Sequence, residues 1–429
     1  MAKPGKYNWL RPSIFAVLVA ALHLYCLWSA LSQRTYLTDD SIQYLTIAEN
    51  LANQGIFSQS YSPPYVQDLQ RTPGYPVFLI LAGRLPWLAI ALQHLLVLAT
   101  GWLVYLLVRD LYGARIGGIG ARIYLLQPYP VILASYILSE TLFIFLLVGS
   151  LWAYLRFWRG DGWRWLAGGL VLLGMATLVR PVGLPLLGLA ALLAMGRATV
   201  LRKQWAVQWG LALLIPALMI GPWVMRNHAL NGRWAISTMG DMGMLHGRLG
   251  GLEAWRTGHS MDEHQLYMAG DSVAALQMGL KALRSYPAGK ETHETEMLAP
   301  GMGRLTYSFY WEHPWDALRF QVRNLWEMAK GLGYGWGLEL TQSKPAAMVM
   351  AGIQCVFNLL MYLGLLLALW RIRAWRAGEW IAFGAVVAVL AVSAAGWADG
   401  RYRMVIDPLI LLFLLFILWR QDDRSRALD

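Results

Sequence analysis

Residues 38–44 read Thr-Asp-Asp-Ser-Ile-Gln-Tyr and put two carboxylates, Asp39 and Asp40, at the start of a segment whose apolar residues recur every three or four positions. Paired acids there suit the positive end of a helix, and one of them can cap it. A cap needs only one side chain, however, and Thr38 or Asp39 can supply it. The remaining carboxylate is a candidate general base. A cation precedes a rigid turn at Arg71-Thr72-Pro73-Gly74-Tyr75-Pro76, another follows an apolar run at Arg180-Pro181-Val182-Gly183, and a third closes a run at Pro222-Trp223-Val224-Met225-Arg226-Asn227. Two more, Arg401 and Arg403, follow Asp399-Gly400. A guanidinium matches the oxygens of a phosphate bidentately, although such residues also anchor helices among ordinary lipid headgroups. Glu140 stands alone between two apolar runs, a costly placement that marks function in a membrane.

The surroundings of these residues are apolar. Of the 429 residues 57% are hydrophobic and 14% charged, against about 25% charged in soluble domains. Runs at 14–31, 85–108, 123–139, 141–157, 165–179, 183–196, 205–224, 345–370, 380–395 and 407–419 have the length and composition of membrane spans, with 123–139 weakened by Pro128 and Pro130 and 183–196 short. Leu31-Ser32-Gln33 has no small-x-small cleavage pattern, so the first run is expected to be a retained helix. With the N-terminus in the cytoplasm, the six inner segments each hold three cations, which is 18 of the 36 Lys and Arg. That asymmetry is what the positive-inside rule asks for, and it puts both termini in the cytoplasm. The net charge of +11 is thus orientation information and implies no nucleic acid.

On this topology Asp39, Asp40, Arg71, Glu140, Arg180, Arg226, Arg401 and Arg403 share the outer rim. The first outer segment, 32–84, is expected to hold an interfacial helix at 41–52 that ends at Gly55. Residues 225–344 read as a small, partly helical outer domain. The expected organisation is a catalytic transmembrane module at 1–224 that includes the first outer loop at 32–84, an outer, periplasmic segment at 225–344 and C-terminal transmembrane helices at 345–429.

Other chemistries find little support. Cys26 and Cys355 both lie in apolar runs, which argues against disulfides, a zinc cage and thiol catalysis. His228, His246, His259, His264, His293 and His313 show no metal-ligating spacing, and His23 and His94 read as hydrogen-bonding partners between helices. No phosphate-binding glycine loop, dinucleotide fingerprint or nucleophile elbow is present. No cofactor is expected; a divalent metal is unsupported.

In these motifs the chain resembles the GT-C superfamily of membrane glycosyltransferases, in its protein O-mannosyltransferase-like and aminoarabinose-transferase-like bacterial branch. The likeness rests on the acidic pair followed by Tyr44, the Arg71–Pro76 re-entry, Ser139-Glu140-Thr141-Leu142-Phe143, Arg180-Pro181-x-Gly183 and Pro222-Trp223-x-x-Arg226-Asn227, and it covers about 14–240. It implies an all-α polytopic bundle of about ten transmembrane helices, with interfacial helices in the first outer loop. It also implies a polyprenyl-phosphate-linked sugar donor and an inverting transfer, at the outer face of the bacterial cytoplasmic membrane, to a protein, glycolipid or polysaccharide. The family's aspartate stands four residues before the tyrosine, which selects Asp40 over Asp39 as base. Glu140 is carried as a further catalytic candidate, and Arg71, Tyr75, Arg180, Arg226, Arg401 and Arg403 as lipid-phosphate or donor-binding candidates. A transporter or flippase for an anionic lipid is the alternative, but such proteins carry repeated halves and charges near the bilayer midplane, and this chain shows neither.

Overall fold

The computed structural model describes residues 12–201, 205–242, 252, 255, 310–393 and 400–426. His246, His259, His264, His293 and Asp399 lie outside the described residues, as does most of the expected outer domain.

Among the described residues the regular structure is helical, apart from one isolated bridge between Ser58 and Gln67. Five helices are long and apolar enough to cross a membrane: α1 (Pro12–Gln33), α4 (Pro86–Tyr112), α7 (Glu140–Arg159), α10 (Trp205–Asn231) and α14 (Lys344–Trp370). Shorter apolar helices are α8 (Trp163–Val179), α9 (Gly183–Leu201) and α15 (Ala377–Ser393), and α17 (Asp407–Arg426) runs through the core. The chain is therefore a multi-pass helical membrane protein. The expected span at 123–139 is not one helix. It divides into α5 (Ala114–Leu125) and α6 (Pro128–Ala134), because Pro128 lacks the N–H to continue α5 and instead opens α6.

α7 lies at the centre of the bundle with most of its length buried, whereas α10, α1 and α14 bury only a minor part of theirs. Outward residues of these flanking helices and of α4, Leu24, Trp102, Leu218 and Leu359 among them, are exposed. Water would make that unfavourable, but hydrocarbon does not, so these faces are the lipid-facing ones. α14 crosses α17 closely at Gly364, where a Cβ would stand 2.5 Å from the Leu414 Cα. Such contact gains packing energy that lipid cannot match. His23 of α1 meets His94 of α4 through their Nδ1 atoms at 2.9 Å, the interhelical role expected for them.

Three short helices sit at the end of α7 that bears Glu140: α2 (Asp39–Gln54), α3 (Gly74–Leu81) and α16 (Gly400–Met404). α2 ends at Gly55 in the left-handed conformation, as its sequence suggests, and begins two residues before the expected start. The remaining described α-helices are α11 (Met239–Met242), α12 (Pro314–Lys330) and α13 (Tyr334–Thr341).

Candidate active site

Thr38 caps α2. Its hydroxyl accepts from the Ser41 N–H at 3.2 Å, and the Ser41 hydroxyl accepts from the Thr38 N–H at 3.0 Å. This reciprocal box satisfies the helix start without either aspartate. Asp39 is exposed. Asp40 turns the other way and takes a different arginine on each oxygen. Arg71 Nη2 lies 2.5 Å from Oδ1, and Arg401 Nη1 lies 2.9 Å from Oδ2.

Arg71 is 9% exposed and fully engaged. Its Nε donates to Gln43 Oε1 at 2.9 Å and its Nη1 to the Tyr44 hydroxyl at 3.3 Å, while its guanidinium lies 4.8 Å from the Tyr44 ring centre. Gln43 and Tyr44 follow Asp40 by one helical turn, so one face of α2 builds the whole socket. The Arg71 backbone N–H donates to Asp68 Oδ1 at 2.8 Å. Next in the chain, the Thr72 hydroxyl donates to the Val179 carbonyl at 3.0 Å, and a Cβ on Gly74 would come within 2.8 Å of the Leu178 carbonyl carbon and oxygen. The re-entry loop is thereby fastened to the end of α8, where Arg180 begins the next turn.

Arg180 reaches Glu140 Oε1 at 2.7 Å and donates to the Ser139 hydroxyl at 3.0 Å. Glu140 is 1% exposed at the start of α7, and the contact is one of charge, since neither of its oxygens receives an aligned hydrogen bond among the described residues. Ser139 also meets the Tyr44 hydroxyl at 3.2 Å, so a chain of hydroxyls joins Arg71 to Arg180. Arg401 Nε stands 3.9 Å from Glu140 Oε1. The Tyr402 ring lies beside both Arg180 and Arg401, at 5.8 and 5.1 Å, and Trp336 of α13 lies 6.0 Å from Arg401.

Burial alone would raise the Asp40 carboxyl, but Arg71 and Arg401 outweigh it and hold the group down at about 2. Asp68 moves the other way: burial raises it against its bonds to the Arg71 N–H and Gln59. Burial opposes the charge of Arg180, yet Glu140 and the nearby tyrosines keep it more firmly protonated than usual. Three guanidiniums and two carboxylates thus meet in one place, an excess of one positive charge.

Three expected donor contacts lie elsewhere. Tyr75 is fully buried, its hydroxyl donating to Gln93 at 2.6 Å and its ring packed on Tyr44 and Phe78. Arg226 donates to the Asp68 carbonyl at 2.6 Å and to Gln67 at 2.7 Å, bracing the first outer loop from the end of α10. Arg403 points into the bundle, 2% exposed, with its Nε 3.2 Å from Asp407. Positions 401 and 403 are about 200° apart on a helix, so neighbours in sequence face opposite sides. Arg71 and Arg180, which stand as lone cations in the sequence, each have a carboxylate partner. Gln43, Ser139, Tyr402 and Asp68 were not singled out from the sequence as site residues. The available signal for Gln43, Ser139 and Tyr402 is their position within the motifs, one turn or one residue from a charged group, whereas Asp68 lies outside them, three residues before Arg71. Among the described residues no group of three His, Cys, Asp or Glu side chains is placed to hold a metal ion.

Residues 75–225 match the family described as dolichyl-phosphate-mannose-protein mannosyltransferase. The match bears out, over that stretch, the resemblance to the protein O-mannosyltransferase-like branch of membrane glycosyltransferases. No curated protein matches the chain. Among solved structures, the crystal structure of ArnT from Cupriavidus metallidurans bound to undecaprenyl phosphate is 15% identical, with 95% of this chain and 78% of that one covered and a TM-score of 0.43. The apo state of the same protein is likewise 15% identical, with 94% and 78% covered and a TM-score of 0.41.

Proposed function

We propose that this protein is a glycosyltransferase of the bacterial cytoplasmic membrane that moves a sugar from a polyprenyl-phosphate donor to an acceptor at the outer face. The observation that carries the reading is the convergence of Asp40, Glu140, Arg71, Arg180 and Arg401, from separate parts of the chain, at one end of the bundle. The family matched at 75–225 acts with dolichyl phosphate mannose, a polyprenyl-phosphate sugar, which supports this donor class.

In the transfer, Asp40 removes the proton of the acceptor hydroxyl as that oxygen attacks the anomeric carbon. The bond from that carbon to the phosphate oxygen breaks on the opposite face, which inverts the anomeric centre. The charge left on the lipid phosphate falls to Arg71, Arg180 and Arg401, already oriented by Gln43, Glu140 and Tyr402. Glu140 is too enclosed to meet an acceptor and acts as a positioning residue for Arg180. No step calls for a cofactor. The catalytic set is not confined to the 1–224 module, since Arg401 comes from the C-terminal part.

The orientation proposed, with both termini cytoplasmic, gains support from α7 itself. Arg156 and Arg159 lie at the end opposite Glu140, about 25–30 Å away at 1.5 Å per residue. The deciding experiment incubates the purified protein with a panel of polyprenyl-phosphate sugars and follows release of polyprenyl phosphate. Release with one sugar is expected. A flippase would move the lipid without cleaving it, and that outcome would overturn the proposal.

A further inference from the structure

A base whose two oxygens are each held by a guanidinium is a poor base. Yet the same two arginines are the ones that a lipid phosphate would seek. Arg401 is placed to resolve this conflict, because it stands between two carboxylates, 2.9 Å from Asp40 and 3.9 Å from Glu140. The two contacts use different nitrogens, Nη1 on Asp40 and Nε towards Glu140. A shift of roughly one ångström brings Nε to the about 2.7–2.9 Å of a charge-assisted bond with Glu140, and further movement the same way draws Nη1 off Asp40. Glu140 is fit to receive it: buried, within reach of Arg180, and with no aligned donor on either oxygen among the described residues.

We infer that Arg401 is a two-position cation, held by Asp40 until a lipid phosphate enters and then passed to Glu140 while Arg71 turns to the phosphate, so that the donor itself releases the base. This rests on the donor class proposed above. The order of events follows from the contacts: without donor, Asp40 stays clamped and cannot activate an acceptor or water. The ionisable and charged groups around Asp40 are Asp39 and Tyr44 on its own helix, Arg71 and Asp68 from the first outer loop, Glu140 of α7, Arg180 at the end of α8, and Arg401 and Tyr402 of α16. Of these, Asp40 is the carboxylate whose clamp the phosphate would remove.

The consequence is proton uptake on binding. A carboxylate freed from two cations and left beside an anion binds a proton more readily. The test is calorimetry of the full chain in lipid nanodiscs, titrated with a polyprenyl methyl phosphodiester, which has no proton to exchange in the working range. Heats are compared in buffers of different ionisation enthalpy. Binding is expected to take up a fraction of a proton that grows as the pH is lowered from about 7 towards 4, because the freed carboxyl titrates higher than the clamped one. Asp40→Asn should bind and take up none. Glu140→Gln, which has no receiving charge, should bind with uptake reduced at least twofold. Arg401→Gln, which loosens Asp40 beforehand, should also take up less and serves if Glu140→Gln does not accumulate. Binding with no uptake in the parent, or equal uptake in Asp40→Asn, would overturn the inference and leave the donor assignment standing. Failure of the diester to bind at all would instead overturn the donor assignment.

Discussion

Asp40 and Arg401 are 361 residues apart in the chain and 2.9 Å apart in space, so the last part of the sequence completes a site begun in the first outer loop. With Arg71 on the other oxygen, the pair determines what substitutions at this carboxylate should do.

Asp40→Asn keeps the size of the side chain but cannot accept the acceptor's proton. Sugar transfer should fall by about 10²–10⁴-fold with folding retained, the usual range for a general base. Asp39→Asn, on an exposed side chain with the helix start already capped by Thr38, should stay within about threefold of the parent. Turnover at equal expression checks both, and the reverse ranking would exchange their roles.

Stability at low pH should show a step that belongs to Asp40. Its folded value of about 2 lies below the unfolded one, about 3.9, so its contribution is complete above the latter and is lost as pH falls through the former. About 2 kcal/mol is at stake after allowing for partial exposure. Thermal unfolding between pH 5 and pH 2 should therefore fall more steeply in the parent than in Asp40→Asn. Parallel curves would count against the clamp.

Arg180→Ala strands a buried carboxylate. Losing one member of such a pair costs roughly 3–5 kcal/mol, so this variant should unfold far more readily than Arg71→Ala, whose partner Asp40 is more open and keeps Arg401. Combining Arg180→Ala with Glu140→Gln removes the stranded charge and should restore most of the stability. Turnover should remain about 10- to 100-fold low, the worth of one charge-assisted contact. Recovery of activity along with stability would remove Arg180 from the leaving-group site.

Arg403 should behave as a structural residue. Arg403→Met leaves Asp407 buried without its cation and should cost roughly 3–5 kcal/mol, while Arg403→Met with Asp407→Leu should come close to parental stability. The donor KM of the double variant should remain within about threefold of the parent. A large rise in that KM would return Arg403 to the donor site.

Orientation can be read by labelling in intact cells, with Cys26 and Cys355 replaced by serine. A cysteine at Tyr61, which is 81% exposed in the first outer loop, should react with an impermeant maleimide. A cysteine at Asp161, in the turn between α7 and α8, should react only after the cells are opened. The opposite pattern would invert the topology.

The helical bundle was legible because membrane spans and cation asymmetry are local properties of sequence. The acidic pair and the arginines near turns were legible for the same reason. Their pairing was not. Nothing in a lone Glu140 says that Arg180 will neutralise it, because that contact depends on how α7 and α8 pack. Arg401 and Arg403 read alike in an extended turn, and it is the brief helix at Gly400–Met404 that separates them. Tyr75 shares a motif with Arg71 but begins an inward-packed helix, a difference that motif membership does not reveal.

The seam at Thr72 and Gly74 bears on how the protein would respond to its bilayer. Because that loop is bonded to Val179 and packed without clearance on Leu178, Arg71 and Arg180 form the two jaws of a single rigid vice. Arg401 is carried by a separate element, the short helix α16 just before α17. Changes of membrane thickness or tension that tilt the C-terminal helices would thus leave the spacing of the first two cations fixed and move the third against them. The part of the site that such tilting would reach is one gap, that between Arg401 and Asp40.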